Sequence, residues 1–167
     1  MITPEYCHTL AAYNQWMNRQ LYEVCAELPD EVRKQDQGAF FKSIHGTLNH
    51  LLYGDRVWMD RFLGLPNSLN TIGQDLYEDF EALQHQRVLM DQEILDWATT
   101  LTAEWLKRPF EYTSNVDGKT RVLPAWVLVT HLFNHQTHHR GQLTTLLSQL
   151  GYDYGATDIP WLPNPPW

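Results

Sequence analysis

The sequence is short of cysteine, of positive charge and of long apolar runs, and each shortage removes a class of function. Only two cysteines occur, Cys7 and Cys25. Neither belongs to a Cys-x-x-Cys pair, which argues against a cysteine-type zinc site. If both lie on one helix, they are separated along its axis by about 27 Å, too far for a disulfide. That agrees with a reducing compartment. Lys and Arg total 12 against 20 Asp and Glu, a net charge of -8, and the basic residues form no cluster. Such a surface repels phosphate backbones, so no nucleic-acid partner is expected. No apolar run reaches the ~18 residues of a membrane span. The N-terminal stretch MITPEYCHTL has neither the basic nor the apolar region of a secretory leader, which makes the cytoplasm the expected location. A serine-nucleophile elbow, a phosphate loop and a dinucleotide fingerprint are also missing.

What is present is an ordinary globular composition, 43% hydrophobic and 19% charged over 167 residues. That length fits one domain, residues 1–167, with enough buried surface to need no covalent staples. No internal repeat or low-complexity tract divides it.

Helical spacing organises most of the chain. Residues 3–28 carry Leu10, Tyr13, Met17, Leu21, Val24 and Leu28 on one face. Thr3, Pro4 and Glu5 supply a cap, a first-turn proline and an early acid, and Pro29 ends the run. A second helix is expected over 43–63, striped by Ile44, Leu48, Leu51, Trp58 and Phe62 and stopped by Gly64. A third is expected over 71–101, with an irregular start at Gly73 and apolar positions at Leu76, Phe80, Leu83, Leu89, Ile94 and Trp97. Residues 109–123 read instead as a short β-hairpin turning at 115–118. A two-stranded hairpin is marginal alone and must pack on the helices. The last helix is expected over 124–150, with Gly151 as its stop. The tail GYDYGATDIPWLPNPPW, rich in proline and tryptophan, is expected to lie extended against the bundle or a partner subunit. Four helices with mostly short links indicate an all-α four-helix bundle with a small hairpin before the last helix.

The eight histidines are unevenly spread. Four fall in the last helix, within HLFNHQTHHRGQL: His131, His135, His138 and His139. Residues four apart share a helix face, so His131–His135 or His135–His139 can converge on one ion. Measured at about 100° per residue, His139 points almost along the apolar stripe of Leu128, Leu132, Leu143, Leu146 and Leu150. His135 lies about 60° to one side, and His131 and His138 lie about 100° away or more. Two buried imidazoles need partners to offset desolvation, and a metal ion supplies them. A catalytic site of the zinc type takes three protein ligands and keeps an open position. For the third ligand His8, His45, His50, His85 and the oxygen donor Asp55 all remain open, because periodicity does not choose among them.

Asp55 sits on the apolar stripe of the second helix. It reads as one half of a buried ion pair rather than as an acid orienting a ligand histidine. Arg140 reads as a structural salt bridge or dimer contact, Gly141 as a site of close helix packing, and Gln142 as a hydrogen-bonding group across the bundle. Trp58 and Trp126 read as core.

Two stretches resemble the DinB-like family of small metal-binding bundles: SIHGTLNHLLYGDRVWMDRFLG at 43–64 and HLFNHQTHHRGQLTTLL at 131–147. The segment LGYDYGATDIPWL is similar to the family's ending. The resemblance implies an up-down-down-up bundle with a metal site of one histidine from the second helix and two from the last, here His50, His135 and His139. It implies a divalent ion, nickel or zinc, and a homodimer. Relatives of this fold include S-transferases that use a low-molecular-weight thiol. The expected function is therefore a metal-dependent thiol S-transferase acting on a small molecule. The alternatives are a metal-dependent hydrolase and a non-catalytic metal-binding or stress-response protein.

Overall fold

In the computed structural model, residues 1–66, 69 and 75–166 are described. Helix α1 (Pro4–Glu27) begins where the sequence places its cap, with the Thr3 hydroxyl accepting from the Tyr6 amide. A short helix α2 (Asp30–Lys34) follows. Helix α3 (Ile44–Leu63) is capped by Ser43 and stopped by Gly64, whose φ of 69° is the left-handed conformation that glycine adopts freely. Helix α4 is Phe80–Thr100, capped by Asp79, and a second short helix, α5, is Ala103–Lys107. Strands β1 (Pro109–Thr113) and β2 (Thr120–Pro124) pair antiparallel, Tyr112 opposite Arg121, before α6 (Ala125–Gln149). A 3-10 turn, Ile159–Trp161, lies near the end.

Side-chain contacts give the direction of each long helix. Tyr22 meets Phe80 and Asn18 meets Asp91, so α1 and α4 run antiparallel. Asp55 meets Arg87 and Phe62 meets Trp97, so α3 and α4 run parallel. His50 meets His139 and Trp58 meets His131, so α3 and α6 run antiparallel. The result is an up-down-down-up bundle. Because α3 and α4 point the same way, the chain between them must return the length of the bundle. Asn49 fastens the returning strand: its Oδ1 accepts from the amides of Leu76 and Tyr77, and its Nδ2 donates to Tyr77 O.

The core is apolar along most of its length, with Met17, Leu48, Met59, Met90, Leu132 and Leu143 essentially inaccessible. Near its middle lies a polar layer. Arg87 pairs with Asp55 at 2.6 Å and with Asp91 at 2.8 Å, all three buried. Asn18 donates to Asp91, and Arg140 donates to Asn14 and Gln136. Burial drives the Asp91 carboxyl up to about 6, against the opposing pull of Arg87. Such a layer contributes little net stability when complete and costs much when broken.

Several expectations need correction. The third helix starts at Phe80, not near residue 71. Residues 75–79 are not helical, and 71–74, Gly73 included, lie outside the described residues. Asp79 is the better cap because its carboxylate accepts from the Ala82 amide. Leu89 is half exposed rather than core, and Leu76 precedes the helix. Arg140 makes hydrogen bonds to amide side chains rather than a salt bridge. Gly141 faces solvent with nothing near its absent Cβ, so it permits no close packing. Asp55 is half of a buried ion pair, as its place on the stripe indicates. The tail runs along α1, where Tyr13 donates to Thr157 O and Gln20 donates to Tyr154 O and Ala156 O.

Candidate metal centre

Helices α3 and α6 bring three histidines to one point. His50 stands on α3, and His135 and His139 stand one turn apart on α6. One ring nitrogen from each lies within 4.8 Å of the others. The Nε2 atoms of His50 and His135 are 3.1 Å apart. Donors about 2.0–2.1 Å from one tetrahedral ion stand about 3.3–3.4 Å apart, close to this separation. His50 is half-buried; on α6 His139 is buried, His135 half-buried, and His131 and His138 exposed, the order in which that helix turns them away from the core.

The imidazoles are suited to coordination. Burial pushes His50 down to about 4, with His139 adding to the shift. Burial and then the neighbouring histidines push His135 down to about 3. His139 is also lowered, chiefly by burial. All three are therefore neutral near pH 7 and present lone pairs. Nδ1 of His139 lies 2.8 Å from Gln142 Oε1. A proton there leaves Nε2 as the coordinating atom, the usual outer support of a ligand histidine. The Nδ1 atoms of His50 and His135 are buried with no hydrogen-bond partner. Neutral imidazoles that bring one ring nitrogen each to a common point fit a divalent transition ion.

Three further features hold the rings in place. Gly54, one turn after His50, faces His135: a Cβ there would stand 2.7 Å from His135 Cε1. The absent side chain is what lets α6 bring His135 to the triad. Phe41 stacks on His50 with ring centroids 3.7 Å apart and meets His139 edge-on. Its loop turns sharply, with Lys42 at a φ of 65°, a conformation unfavourable for a residue with a side chain. The loop also crosses Gly46, where a Cβ would collide with Phe41 O.

On the side away from Phe41 the triad opens into a cleft of about 350 Å³. The hairpin forms its far wall. Arg61 on α3 donates to Thr113 O and Asn115 Oδ1, and Asn115 donates to Tyr53 Oη and Leu69 O. Trp58 packs on Tyr112, and a cluster of Phe62, Trp97, Trp105 and Phe110 anchors the base of the hairpin to α3, α4 and α5.

The remaining sequence candidates are elsewhere. His45 is buried and its Nε2 bonds Tyr77 O, a structural role. His85 is exposed on α4, and His8 lies on α1 near the tail. Asp55 belongs to the polar layer. Burial raises both cysteines to about 12, so neither is a nucleophile. Sequence reasoning placed Gln142 across the bundle, whereas it supports His139 on its own helix. It did not single out Phe41, Gly54 or Arg61. A glycine in mid-helix four residues after His50 was the readable signal, because it costs helix stability unless something packs against it.

The same architecture and sequence recur in known proteins. The chain is 31% identical over 164 residues to Protein DinB of Bacillus subtilis (strain 168), a match covering 92% of this chain and 91% of that protein. Its fold is similar to the crystal structure of a DinB-like protein from Bacillus cereus ATCC 10987, with a TM-score of 0.64, 18% identity, and 84% of this chain and 90% of that one covered. The model of the DinB family matches residues 1–166, and this chain belongs to that family.

Proposed function

We propose that His50, His135 and His139 hold one divalent transition metal, nickel or zinc, and that the site is a metal-dependent thiol S-transferase. The observation that carries this reading is the convergence of three neutral imidazoles at the head of an open cleft. Nitrogen donors of this kind suit nickel and zinc. A bound divalent ion supplies positive charge that lowers the pKa of a thiol into the working range.

The chain's own residues do the rest. Phe41 closes one side of the triad, so a thiol approaches from the cleft. His131 stands beside His135, ring centroids 5.8 Å apart. Though its edge meets solvent, partial desolvation of the ring against its neighbours, aided by Arg61, lowers its pKa and favours the neutral form, able to take the thiol proton. The sulfur lone pair then forms a bond to the electrophilic carbon, and the leaving group departs with its bonding electrons. The aromatic walls limit water, the competing nucleophile.

Two features favour transfer over the alternatives. A metal hydrolase commonly uses a carboxylate base, and none lines the cleft among the described residues. A purely structural site closes its shell with four protein ligands, and the donor group among the described residues has three.

The test is elemental analysis of untagged protein beside His135→Ala and His139→Ala. The expected result is about one metal per chain in the parent, lost in both variants. The loaded protein is then assayed with bacillithiol, mycothiol or glutathione and a panel of electrophiles. No metal after reloading with nickel or zinc refutes the site. Metal without turnover refutes the transferase and leaves a metal-binding protein.

A further inference from the structure

We propose that the cleft beside the triad selects substrates bearing a carboxylate, with Arg61 as the group that recognises it. The reacting end of such a substrate rests on the metal reading above, but the anion preference does not.

The argument begins with charge. The chain has 20 acidic residues against 12 basic ones, so an opening of this size would ordinarily include a carboxylate. Among the described residues this cleft includes none. The stretch 67–74 contains no Asp or Glu by sequence, so it contributes none either. What the cleft does contain is Arg61 at one end, His50 and His135 at the other, and Tyr53, Trp58 and Tyr112 between them.

Arg61 also differs from four of the seven other arginines of this chain. Arg33, Arg56, Arg87 and Arg121 each pair with a carboxylate. Arg61 pairs with none among the described residues, and its Nη2 donates only to uncharged oxygens of Thr113 and Asn115. Its guanidinium carbon lies 4.7 Å from the Trp58 ring centroid and 5.2 Å from that of Tyr112. Stacking and the two hydrogen bonds therefore fix the guanidinium plane before any ligand arrives. A preorganised guanidinium with donors to spare matches the planar, two-oxygen geometry of a carboxylate. The aromatic residues between Arg61 and the triad suit a flat or apolar body joining the two ends. Partial burial has already cost this cation some hydration, lowering its pKa, and an incoming anion restores the lost interaction.

The experiment compares benzoate with benzamide, which share shape and differ in charge. Binding is measured by calorimetry on metal-free and zinc-loaded protein. Benzoate should bind at least about tenfold tighter than benzamide to the metal-free protein, the factor expected of one charge-assisted contact. Arg61→Gln should erase that preference. If loss of the hairpin contacts unfolds Arg61→Gln, Arg61→Lys decides: it should weaken benzoate several-fold and leave benzamide unchanged. Equal binding of the two probes, or a preference that survives Arg61→Gln, overturns the proposal. A protein that takes up no metal but keeps the benzoate preference sinks only the metal reading. One that takes up metal but shows no preference when metal-free sinks only this inference.

Discussion

Gly54→Ala separates the metal site from the fold more cleanly than removal of a ligand. The added Cβ would stand 2.7 Å from His135 Cε1 and 3.2 Å from its Nδ1. Carbon atoms rest at about 3.5–4.0 Å, so the ring must retreat by about 1 Å. Metal coordination tolerates displacements of only about 0.2 Å. The His135 nitrogen is therefore lost to the site, or held there at a comparable cost in strain. Zinc affinity should fall by at least about 10–100-fold, the range seen when even a supporting partner of a ligand is removed. Stability of the metal-free protein should change little. Overpacking costs about 1–3 kcal/mol, while replacing glycine by alanine in a helix returns about 1 kcal/mol. The assay is zinc competition with a chromophoric chelator, beside urea denaturation of the metal-free form. Gly141→Ala is the control: with open space at its Cβ, it should stabilise by up to about 1 kcal/mol and leave zinc affinity unchanged. Parental zinc affinity in Gly54→Ala would refute the reasoning, because the close approach would then not be needed to assemble the triad.

Three other outcomes follow from named contacts. Gln142→Ala removes the acceptor 2.8 Å from His139 Nδ1 and should weaken zinc binding about 10–100-fold with little change in melting temperature; unaltered affinity would show that the bond does not orient the ring. Asp55→Ala leaves the buried Arg87 with Asp91 alone and should cost about 3–5 kcal/mol in urea unfolding; a loss below about 1 kcal/mol would mean the layer relaxes or admits water. Acidification tests the histidines. His135 is lowered to about 3 when folded against an ordinary value of 6.5, so below pH 6.5 the unfolded chain takes up the proton first. The stability this residue contributes is complete above pH 6.5 and lost as pH falls toward its folded value. In the metal-free state, His135→Gln should therefore gain stability relative to the parent between pH 6.5 and 4.5, a comparison that cancels the opposing titration of Asp91; a gap that widens the other way contradicts the assignment.

Local chemistry was legible in the residues themselves. Thr3 accepts the amide it was placed to cap, the second helix starts at Ser43 as expected, Gly64 and Gly151 end their helices in left-handed geometry, and the hairpin turns where Asn, Asp and Gly cluster. These features depend on neighbours within a few residues, so the chain determines them before it folds. The inward turn of His139 and His135 and the shoulder position of His131 and His138 follow from helix pitch alone. His50 did not follow from pitch. Its distance from the apolar stripe of α3 marks it only as a boundary residue, and family resemblance selected it. What makes it a neighbour of His135 is the antiparallel contact of α3 with α6, a long-range fact with no trace in the periodicity of either helix. The start of α4 differs from the expectation for a related reason: Leu76 and Phe80 stand at helical spacing, but residues 75–79 are not helical, and the amides of Leu76 and Tyr77 bond the Asn49 side chain of α3 instead. Phe41 on His50, Gly54 under His135 and Arg61 bridging α3 to the hairpin likewise join segments distant in sequence. Local propensity determined the helices, the turns and the pair of histidines on α6. Only tertiary packing decided which third histidine meets them, which ring covers them and what charge faces them across the cleft, because each depends on a contact between helices rather than on a pattern within one.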